Sequence, residues 1–312
     1  MTRLVTGYLM KPTVPDRTPD SMPLHPLLAP YTDTRNADRV ETAKQPDEQA
    51  AIGQEAPRGL SIIILNLDKP ELIVPLVESL VAVEPSFRAA GLGFEVLVGD
   101  TGSTNPKVLA LYDRAPPFVK AVRGLKYHFS RSNNQVFFGH ARYDTALFLN
   151  NDVVIRDHPD CLMGMVRLLD RRPELGMAGL CLFFPDGTVQ HAGIDVFRDG
   201  PLRGFCFHPH ARARMPERAE ESWDCLAVTA ACVMIRSSLF REIGGFDEAY
   251  RTECQDVALC LAAQRLGRGV AILNAGQVLH LENATRPKGS EDWGDRQLFM
   301  RRWGSFIEAF AL

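Results

Sequence analysis

A near-continuous run of branched apolar residues, LSIIILNL, occupies positions 60–67. A run without polar alternation is typical of a strand buried on both faces of a parallel sheet. Apolar residues then recur at helical spacing over positions 72–81, which predicts a helix directly after that strand. Pro75 lies within this stretch, so we expect the helix to start late or to bend there.

Three further apolar segments follow at the spacing of a strand–helix repeat, at positions 94–99, 118–122 and 146–149. Alternating strands and helices predict right-handed crossovers and an open, mostly parallel sheet with helices on both faces. Ligands bind beyond the carboxyl ends of the strands in such sheets. The first candidates for a site are therefore the polar residues that end these strands: Asn66, Asp68, Asp100, Asn150, Asn151 and Asp152.

The second half of the chain is predicted to be mixed. Helices are expected at about 159–170, 256–266 and 296–310, and strands at 177–184, 226–235, 270–273 and 278–280. An Arg-, His- and Pro-rich stretch at 198–222 is predicted to be a long loop. The predicted fold class is therefore α/β, with an open sheet followed by a smaller mixed sheet.

Residues 1–59 differ in composition from the rest of the chain. They hold 8 of the 21 prolines, none of the 17 phenylalanines and none of the 3 tryptophans. Such a segment buries too little apolar surface to offset the entropy of ordering, so we expect an extended or disordered leader. The folded domain is expected to begin near Gly59 and to span about 250 residues, the size of one α/β domain.

Charge and composition exclude several classes of protein. The 312 residues carry 35 Lys and Arg against 38 Asp and Glu, a net charge of −3, which argues against a nucleic-acid partner. No apolar run approaches the roughly 18 residues of a membrane-spanning helix, and the first residues lack the apolar core of a secretion signal. The 7 cysteines have no C-x-x-C spacing, which indicates reduced, buried thiols in a cytoplasmic protein.

Asn150, Asn151 and Asp152 end an apolar strand and are candidates for a metal site. Oxygen ligands favour Mg²⁺ or Mn²⁺, which usually keep waters and bind substrate phosphates. A capped strand end explains the same residues without a metal, and one carboxylate is a poor metal site. His280, after a late strand, offers another ligand or a purely structural imidazole, and Arg286 beyond it suits a phosphate.

Two more carboxylates have both a functional and a structural interpretation. Asp256 begins a predicted helix, where it either caps the helix or serves as a general base for an acceptor hydroxyl. Asp100, in the turn GDTGST, either binds the base or ribose of a nucleotide or caps a turn that Gly102 bends. The chain has no P-loop, no GxGxxG fingerprint after its first strand and no GxSxG elbow, which excludes three common enzyme classes.

Taken in order, these segments resemble the inverting, metal-dependent glycosyltransferases of family 2, which have the GT-A fold. The similarity covers about residues 60–305, and its specificity comes from six motifs in order. The later motifs follow the pattern of rhamnosyltransferase-like and other polysaccharide-building members. The matching segments are SIIILNLDK (similar to SIIIPTYNR), EVLVGDTGST (EVIVVDNGST), ALFLNNDVVI (LLFLNDDVVP), FPDGTVQHAGI, the stretch from VTAACVMI to GRGVAIL, and LHLENATR.

The resemblance implies a role for each matching residue. Asp100, helped by Asn66 and Asp68, would hold the nucleoside of a UDP- or dTDP-sugar donor. Asp152 would coordinate Mg²⁺ or Mn²⁺ at the diphosphate, with His280 beside the same metal or phosphates.

The same resemblance implies that Asp256 deprotonates the acceptor hydroxyl in a single displacement that inverts the anomeric configuration. Asn151 and Arg286 would add contacts to the donor. The segment FSRSNN at positions 129–134 is similar to a stretch near the donor in some members, which brings in Arg131 and Asn134. Arg131 fits a helix cap equally well.

The resemblance also divides the chain into a nucleotide-binding half at 60–152, an acceptor half at 153–295 and a C-terminal helix at 296–312. The implied function is sugar transfer to a glycan or lipid-linked glycan in cell-surface polysaccharide synthesis, O-antigen included. A cytoplasmic location is expected. The C-terminal helix, with Arg296, Arg301 and Arg302, is compatible with peripheral attachment at the inner face of the membrane, although such charges usually form only a solvated face.

Several departures from the family pattern keep a second hypothesis open. Asn150 and Asn151 leave one carboxylate where many members have two or three, and Gln255 and Ala258 replace acids beside the presumed base. The alternative is a catalytically weak, glycosyltransferase-like module that binds a glycan or a partner protein. A sugar-phosphate nucleotidyltransferase is disfavoured, because LNLDKPEL lacks a glycine-rich basic loop after the first strand.

Overall fold

The computed structural model describes residues 56–200, 202–215, 221–281 and 292–311. Residues 1–55 of the expected leader and the candidate Arg286 lie outside the described residues. The described strands are β1 (Gly59–Asn66), β2 (Gly93–Asp100), β3 (Val119–Val122), β4 (Thr145–Leu149), β5 (Val153–Val154), β6 (Leu175–Phe183), β7 (Val189–His191), β8 (Asp195–Val196), β9 (Cys206–Phe207), β10 (Ser222–Asp224), β11 (Cys232–Arg236) and β12 (Gly269–His280). The described helices are α1 (Pro70–Ala89), α2 (Pro106–Arg114), α3 (Phe129–His140), α4 (Cys161–Arg171), α5 (Ser237–Ile243), α6 (Gln255–Arg265) and α7 (Trp293–Phe310).

One large sheet organises the fold, with strand order β10-β12-β6-β11-β4-β1-β2-β3. The four strands β4, β1, β2 and β3 are parallel, as the strand–helix repeat predicts. β11 runs antiparallel to both β4 and β6, and β12 is again parallel to β6. The predicted α/β class is confirmed, and β8 and β9 form a small separate sheet.

β1 lies inside the sheet, between β4 and β2, and is buried on both faces, as its apolar run predicts. Ile62 and Ile64 belong to the apolar cluster on one face, whereas Ile63 belongs to the cluster on the other. Buried side chains of α1, α2 and α4 complete the first cluster, and those of α3, α5, α6 and α7 complete the second. Each face of the sheet is thus covered by helices, which leaves the strand ends as the place for a site.

Several element boundaries differ from the sequence-based expectations. α1 starts at Pro70 and continues through Pro75, so of the two alternatives for Pro75 the late start was wrong, and the bend stays a prediction. Pro70 suits the first turn, because the N–H that proline lacks has no helical partner there. β11 is shorter than the predicted strand at 226–235, since Ala227 forms only a single bridge to Ile194 before the chain turns.

The last part of the sheet also differs from expectation. The two short strands predicted near the end are one strand, β12, whose pairing with β6 is interrupted between Leu273 and Val278. The expected long loop at 198–222 contains β9, paired with β8, and the first residue of β10. Within the described residues, no helix combines the length and apolarity required to cross a membrane.

Candidate active site

A cavity of about 990 Å³ opens at the carboxyl ends of β1 and β4. Its polar lining includes Asn66, Asn151, Asp152, Asp256 and His280. These residues come from four separate stretches of the chain, and each had been singled out from the sequence alone. The fold therefore brings the predicted metal ligands and the predicted base to one cavity.

Asp152 and His280 are brought together by the short strand β5. β5 pairs antiparallel with the end of β12, so that His280 lies opposite Val153. The Leu281 N–H donates to the Asp152 carbonyl at 3.0 Å and extends this pairing by one bond. As a result, Nε2 of His280 lies 3.1 Å from Oδ1 of Asp152, and both side chains are largely buried.

The Asp152–His280 pair of side chains fits Mg²⁺ or Mn²⁺ bound together with substrate oxygens. Metal–ligand bonds of about 2.1 Å at right angles place neighbouring ligand atoms about 3.0 Å apart. The observed separation of 3.1 Å between the Asp152 oxygen and the His280 nitrogen matches that ligand–ligand distance. Among the described residues, no group of three or more His, Cys, Asp or Glu side chains could hold a metal. Within the described part of the chain, the pair therefore fits a metal whose remaining ligands are phosphate and water.

Asp256 lies in the first turn of α6 and lines the same cavity as the metal pair. Its Oδ2 accepts the Ala230 N–H at 3.2 Å, and its Oδ1 accepts the Val257 N–H at 2.9 Å. The loop before β11 thus orients the carboxylate. Each oxygen of a carboxylate has two acceptor positions, so Asp256 retains acceptor capacity for a hydroxyl in the cavity.

A chain of hydrogen bonds crosses the ends of β4, β1 and β2. Asn151 Nδ2 donates to Asn66 Oδ1 at 2.9 Å, and Asn66 Nδ2 donates to the Tyr112 hydroxyl at 3.1 Å. The Tyr112 hydroxyl in turn donates to Asp100 Oδ2 at 2.8 Å. Burial, reinforced by the Asp100 carboxylate, raises the pKa of Tyr112, so this hydroxyl stays protonated and remains a donor.

The Asp100 carboxylate holds the β2–α2 turn together. Oδ1 accepts the backbone N–H groups of Gly102 and Ser103 at 3.0 and 2.9 Å. Burial raises the pKa of Asp100, but hydrogen bonds from Ser103, Tyr112 and Gly102 outweigh it and lower the pKa overall. Asp100 is 4% exposed and lies behind Thr101, which lines the cavity.

Three other predicted donor-binding residues lie outside the cavity lining. Asp68 Oδ1 accepts the N–H groups of Thr104 and Asn105 and so ties the loop after β1 to the loop after β2. Arg131 pairs with Glu248, with its Nε 2.9 Å from the carboxylate.

Asn134 is the third of these residues. It is buried, and its amide donates to the Phe246 carbonyl and accepts the Phe246 N–H, both at 2.8 Å. Its polar atoms therefore brace the turn that follows α5.

Four residues near the site were not assigned a role from the sequence. Tyr112 extends the hydrogen-bond chain, Lys69 lines the cavity after β1, and the Ala230 N–H orients Asp256. Gln190 contacts His280 through both ends of its amide. Gln190 lies in the motif FPDGTVQHAGI, which marked this segment as part of the family pattern. The motif did not reveal the contact with His280, because the two residues are far apart in the chain.

Apolar side chains make up another part of the cavity lining. It includes Ile194, Phe205, Phe207, Phe299 and Met300, from β8, β9, α7 and their flanking loops. Aromatic faces pack well against apolar surface and against the C–H faces of sugar rings. The lining therefore offers both polar and apolar surface to a substrate pair.

Comparison with known proteins finds relatives in polysaccharide synthesis. The chain is 35% identical over 237 residues to the O-antigen biosynthesis protein RfbC of Myxococcus xanthus, covering 73% of this chain and 18% of that protein. It is 28% identical over 206 residues to the N-acetylglucosaminyl-diphospho-decaprenol L-rhamnosyltransferase of Mycobacterium tuberculosis, covering 59% and 66% of the two chains. A protein of Sinorhizobium fredii, y4gI, is 30% identical over 78% of this chain and 26% of its own length. This chain thus spans about a fifth to a quarter of the length of two of these relatives, and no protein-family model matches it.

Solved structures share the fold at low sequence identity. GalNAc-T7, solved with UDP, GalNAc and Mn²⁺, superposes with a TM-score of 0.59 at 12% identity, over 83% of this chain and 52% of that one. The glucosyl-3-phosphoglycerate synthase of Mycobacterium tuberculosis was solved in complex with Mn²⁺ and UDP-glucose. It superposes with a TM-score of 0.50 at 15% identity, over 79% of this chain and 78% of that one. These similarities establish the GT-A fold.

Proposed function

We propose that this chain transfers a sugar from a nucleotide-diphosphate donor to a hydroxyl acceptor with inversion. Its relatives and its GT-A fold support a rhamnosyltransferase-like family 2 glycosyltransferase domain. The observation that carries the proposal is one cavity lined by the Asp152–His280 pair and by Asp256. A single displacement needs a group that stabilises the departing diphosphate and a base for the acceptor hydroxyl. A metal site and a separate carboxylate in one cavity supply these two groups.

The donor diphosphate is proposed to bind at the Asp152–His280 end of the cavity. When bound there, a divalent cation stabilises the negative charge that develops on the departing diphosphate. Lys69 lines the same cavity and adds a positive charge for phosphate oxygens. The chain of hydrogen bonds from Asn151 to Asp100 holds the adjoining loops at the ends of β4, β1 and β2, where the nucleoside is proposed to lie.

Asp256 is proposed to act as the general base. The acceptor hydroxyl gives its proton to an Asp256 oxygen while the hydroxyl oxygen forms a bond to the anomeric carbon. The bond from that carbon to the phosphate oxygen breaks on the opposite side, and its electron pair leaves with the nucleoside diphosphate. Attack opposite the leaving group inverts the anomeric configuration.

The acceptor is proposed to be a glycan or lipid-linked glycan of surface-polysaccharide synthesis. The apolar part of the cavity lining, with Phe205, Phe207 and Phe299, suits sugar faces or an apolar aglycone. Relatives named for O-antigen biosynthesis and for rhamnosyl transfer to a decaprenol-linked acceptor support this class. The seven free cysteines fit a reducing, cytoplasmic location, which is part of the proposal.

The proposal is tested by screening UDP- and dTDP-sugars with Mn²⁺ against short glycan and lipid-linked acceptors, with wild type and Asp256→Asn. Wild type is expected to release nucleoside diphosphate only when donor, acceptor and Mn²⁺ are present. Asp256→Asn is expected to lose transfer by about 10²- to 10⁴-fold, the range for general-base catalysis, while donor affinity stays within a few fold. Equal transfer by Asp256→Asn would remove this residue as the base.

A further inference from the structure

Gln190 lies in β7 and holds His280 at two points. Its Nε2 lies 3.1 Å from the His280 carbonyl oxygen, and its Oε1 lies 2.6 Å from ring atom Nδ1 of the same residue. One amide thus contacts both the backbone and the ring of the proposed metal ligand.

These two contacts determine the direction of both hydrogen bonds. A backbone carbonyl oxygen only accepts, so the NH₂ end of the Gln190 amide must face it. The opposite end of the amide is then the oxygen, which also only accepts. The Nδ1 atom of His280 must therefore carry the proton, and Nε2 is the atom that faces Asp152 Oδ1 at 3.1 Å.

β7 is itself held in place on both sides. It pairs with β6, with His191 opposite Leu182. His191, next to Gln190, is 1% exposed, and its Nε2 accepts the Thr229 N–H at 3.3 Å. The backbone at Gln190 is therefore held in place by contacts other than those of its own side chain. The Gln190 amide consequently orients the His280 ring from a strand, β7, whose position does not depend on that amide.

We propose that Gln190 is a positioning residue for the metal site: it keeps the proton of His280 on Nδ1 and leaves Nε2 directed at Asp152 for the cation. A His ligand that donates its other ring N–H to a fixed acceptor is oriented and made more basic, and losing that acceptor typically weakens metal binding about 10- to 100-fold. This inference deepens the proposed function and rests on it, because the cation is the one proposed to bind the donor diphosphate.

Gln190→Leu and Gln190→Glu separate the hydrogen bond from the space that the side chain fills. Leu removes the acceptor for Nδ1–H, whereas a Glu carboxylate still accepts it but cannot donate to the His280 carbonyl. Gln277→Leu is the matched control, because Gln277 is exposed on the same strand as His280 and lies outside the cavity lining. The full chain of each variant is compared with wild type by thermal unfolding to show that it folds.

Two readouts are measured, neither of which is activity. The first is the Mn²⁺ dissociation constant in the presence of UDP, from the electron paramagnetic resonance signal of free Mn²⁺. The second is the His280 Nδ1–H proton, observed by NMR in protein with ¹⁵N-labelled histidine, without metal and with Mg²⁺ and UDP. His280→Ala assigns the signal.

For Gln190→Leu, the Mn²⁺ dissociation constant is expected to rise 10- to 100-fold. It is expected to rise less for Gln190→Glu and to stay unchanged for Gln277→Leu. A slowly exchanging Nδ1–H signal is expected in wild type and Gln190→Glu and is lost in Gln190→Leu. Unchanged Mn²⁺ affinity in a folded Gln190→Leu protein would overturn the positioning role. Absence of any Mn²⁺ binding by wild type would instead contradict the proposed function, and the Nδ1–H signal would still report on the Gln190 contact.

Discussion

Asp152 and Asp256 are carboxylates that line one cavity but have different neighbours. Asp152 is 5% exposed and faces an imidazole nitrogen, whereas Asp256 is less buried and accepts two backbone N–H groups. Among the described residues, Asp152 faces the Nε2 atom of His280, which carries no proton in the proposed tautomer, and this arrangement suits a shared cation. The environment of Asp256 fixes the orientation of its carboxylate and leaves it acceptor capacity for a hydroxyl. At the residue scale, this difference in partners supports the different roles proposed for the two acids.

Tyr112→Phe tests the hydrogen-bond chain behind the cavity. The substitution removes the hydroxyl that donates to Asp100 and accepts from Asn66. Because both partners are largely buried, we expect a loss of about 1–2 kcal/mol in the free energy of unfolding, measured by urea denaturation. Tyr127→Phe is the control, since Tyr127 is 63% exposed and its change should stay within about 0.5 kcal/mol. Equal stability of the two variants would contradict a structural role for the Tyr112 hydroxyl.

The lowered pKa of Asp100 makes a prediction about acid stability. The unfolded chain takes up this proton near the ordinary pKa of about 3.9, and the folded protein only at lower pH. The stabilising contribution is therefore complete above about pH 5 and is lost as the pH falls through the folded-state value. Asp100→Asn lacks this contribution, so its stability deficit relative to wild type should shrink from pH 6 to pH 3. A deficit that is constant across this range would contradict the prediction.

Asn134→Ala distinguishes the two interpretations of Asn134. The variant leaves the buried N–H and carbonyl of Phe246 without their partner, which should cost about 2–3 kcal/mol of unfolding free energy. Donor affinity, measured by calorimetry, should change less than about threefold, which is less than 0.7 kcal/mol. Unchanged stability combined with a tenfold loss of donor affinity would instead support the donor contact implied by the family resemblance.

At the scale of elements, the site depends on how β12 ends. β12 pairs with β6 up to Leu273, is interrupted, pairs again from Val278, and then meets β5 at Leu279 and His280. This interruption and the antiparallel pairing with β5 set the position of His280 relative to Asp152. The metal pair is therefore a product of strand pairing between segments that are far apart in the chain.

Gly276→Ala tests this dependence, because Gly276 lies inside the interruption of β12. Its φ is +96°, and an added Cβ would lie 2.5 Å from the His158 ring. We expect a stability loss of about 1–3 kcal/mol, because alanine is strained at this φ and either the His158 ring or the strand must move. Movement of the strand would displace His280 and weaken Mn²⁺ binding. Gly91→Ala is the control: its φ is +71° with nothing within 4 Å of the new Cβ, so it should cost about 1 kcal/mol and leave Mn²⁺ affinity unchanged. Equal Mn²⁺ affinity in a folded Gly276→Ala protein would contradict the proposed coupling.

The elements also show what local sequence can and cannot predict. The strands β1, β2 and β4 were predicted because a strand buried on two faces requires an unbroken apolar run. The antiparallel direction of β11 was not predicted, since apolar content is the same for either direction. β5 has only two residues, too few for a periodic pattern, yet it joins Asp152 to His280.

At the scale of the whole molecule, the GT-A fold and the cavity residues Asn66, Asn151, Asp152, Asp256 and His280 were predicted from motif order. Motif order carries this information because residues at the carboxyl ends of parallel strands converge on one edge of the sheet. The role of Gln190 was not predictable, because it depends on a tertiary contact with His280. The predicted donor contacts of Asp68, Asp100, Arg131, Asn134 and Arg286 remain predictions.

The molecule as a whole should be stabilised by its donor and cation together. A ligand that binds only the folded state stabilises it by about 2.7 kcal/mol at 100 times its dissociation constant. We therefore expect UDP with Mn²⁺ to raise the unfolding temperature, and either component alone to raise it much less, as measured by differential scanning fluorimetry. The Asp152→Ala variant should lose the joint effect. An identical shift in wild type and Asp152→Ala would place the binding elsewhere.

The central claim is that the Asp152–His280 end of the cavity binds a nucleotide diphosphate through a divalent cation. Isothermal titration calorimetry of UDP and dTDP, with and without Mn²⁺, tests it most directly in wild type and Asp152→Ala. The account predicts saturable binding that requires Mn²⁺ and is weakened at least tenfold, about 1.4 kcal/mol, in Asp152→Ala. Absence of binding by wild type, or equal binding with Mn²⁺ present and absent, would contradict it.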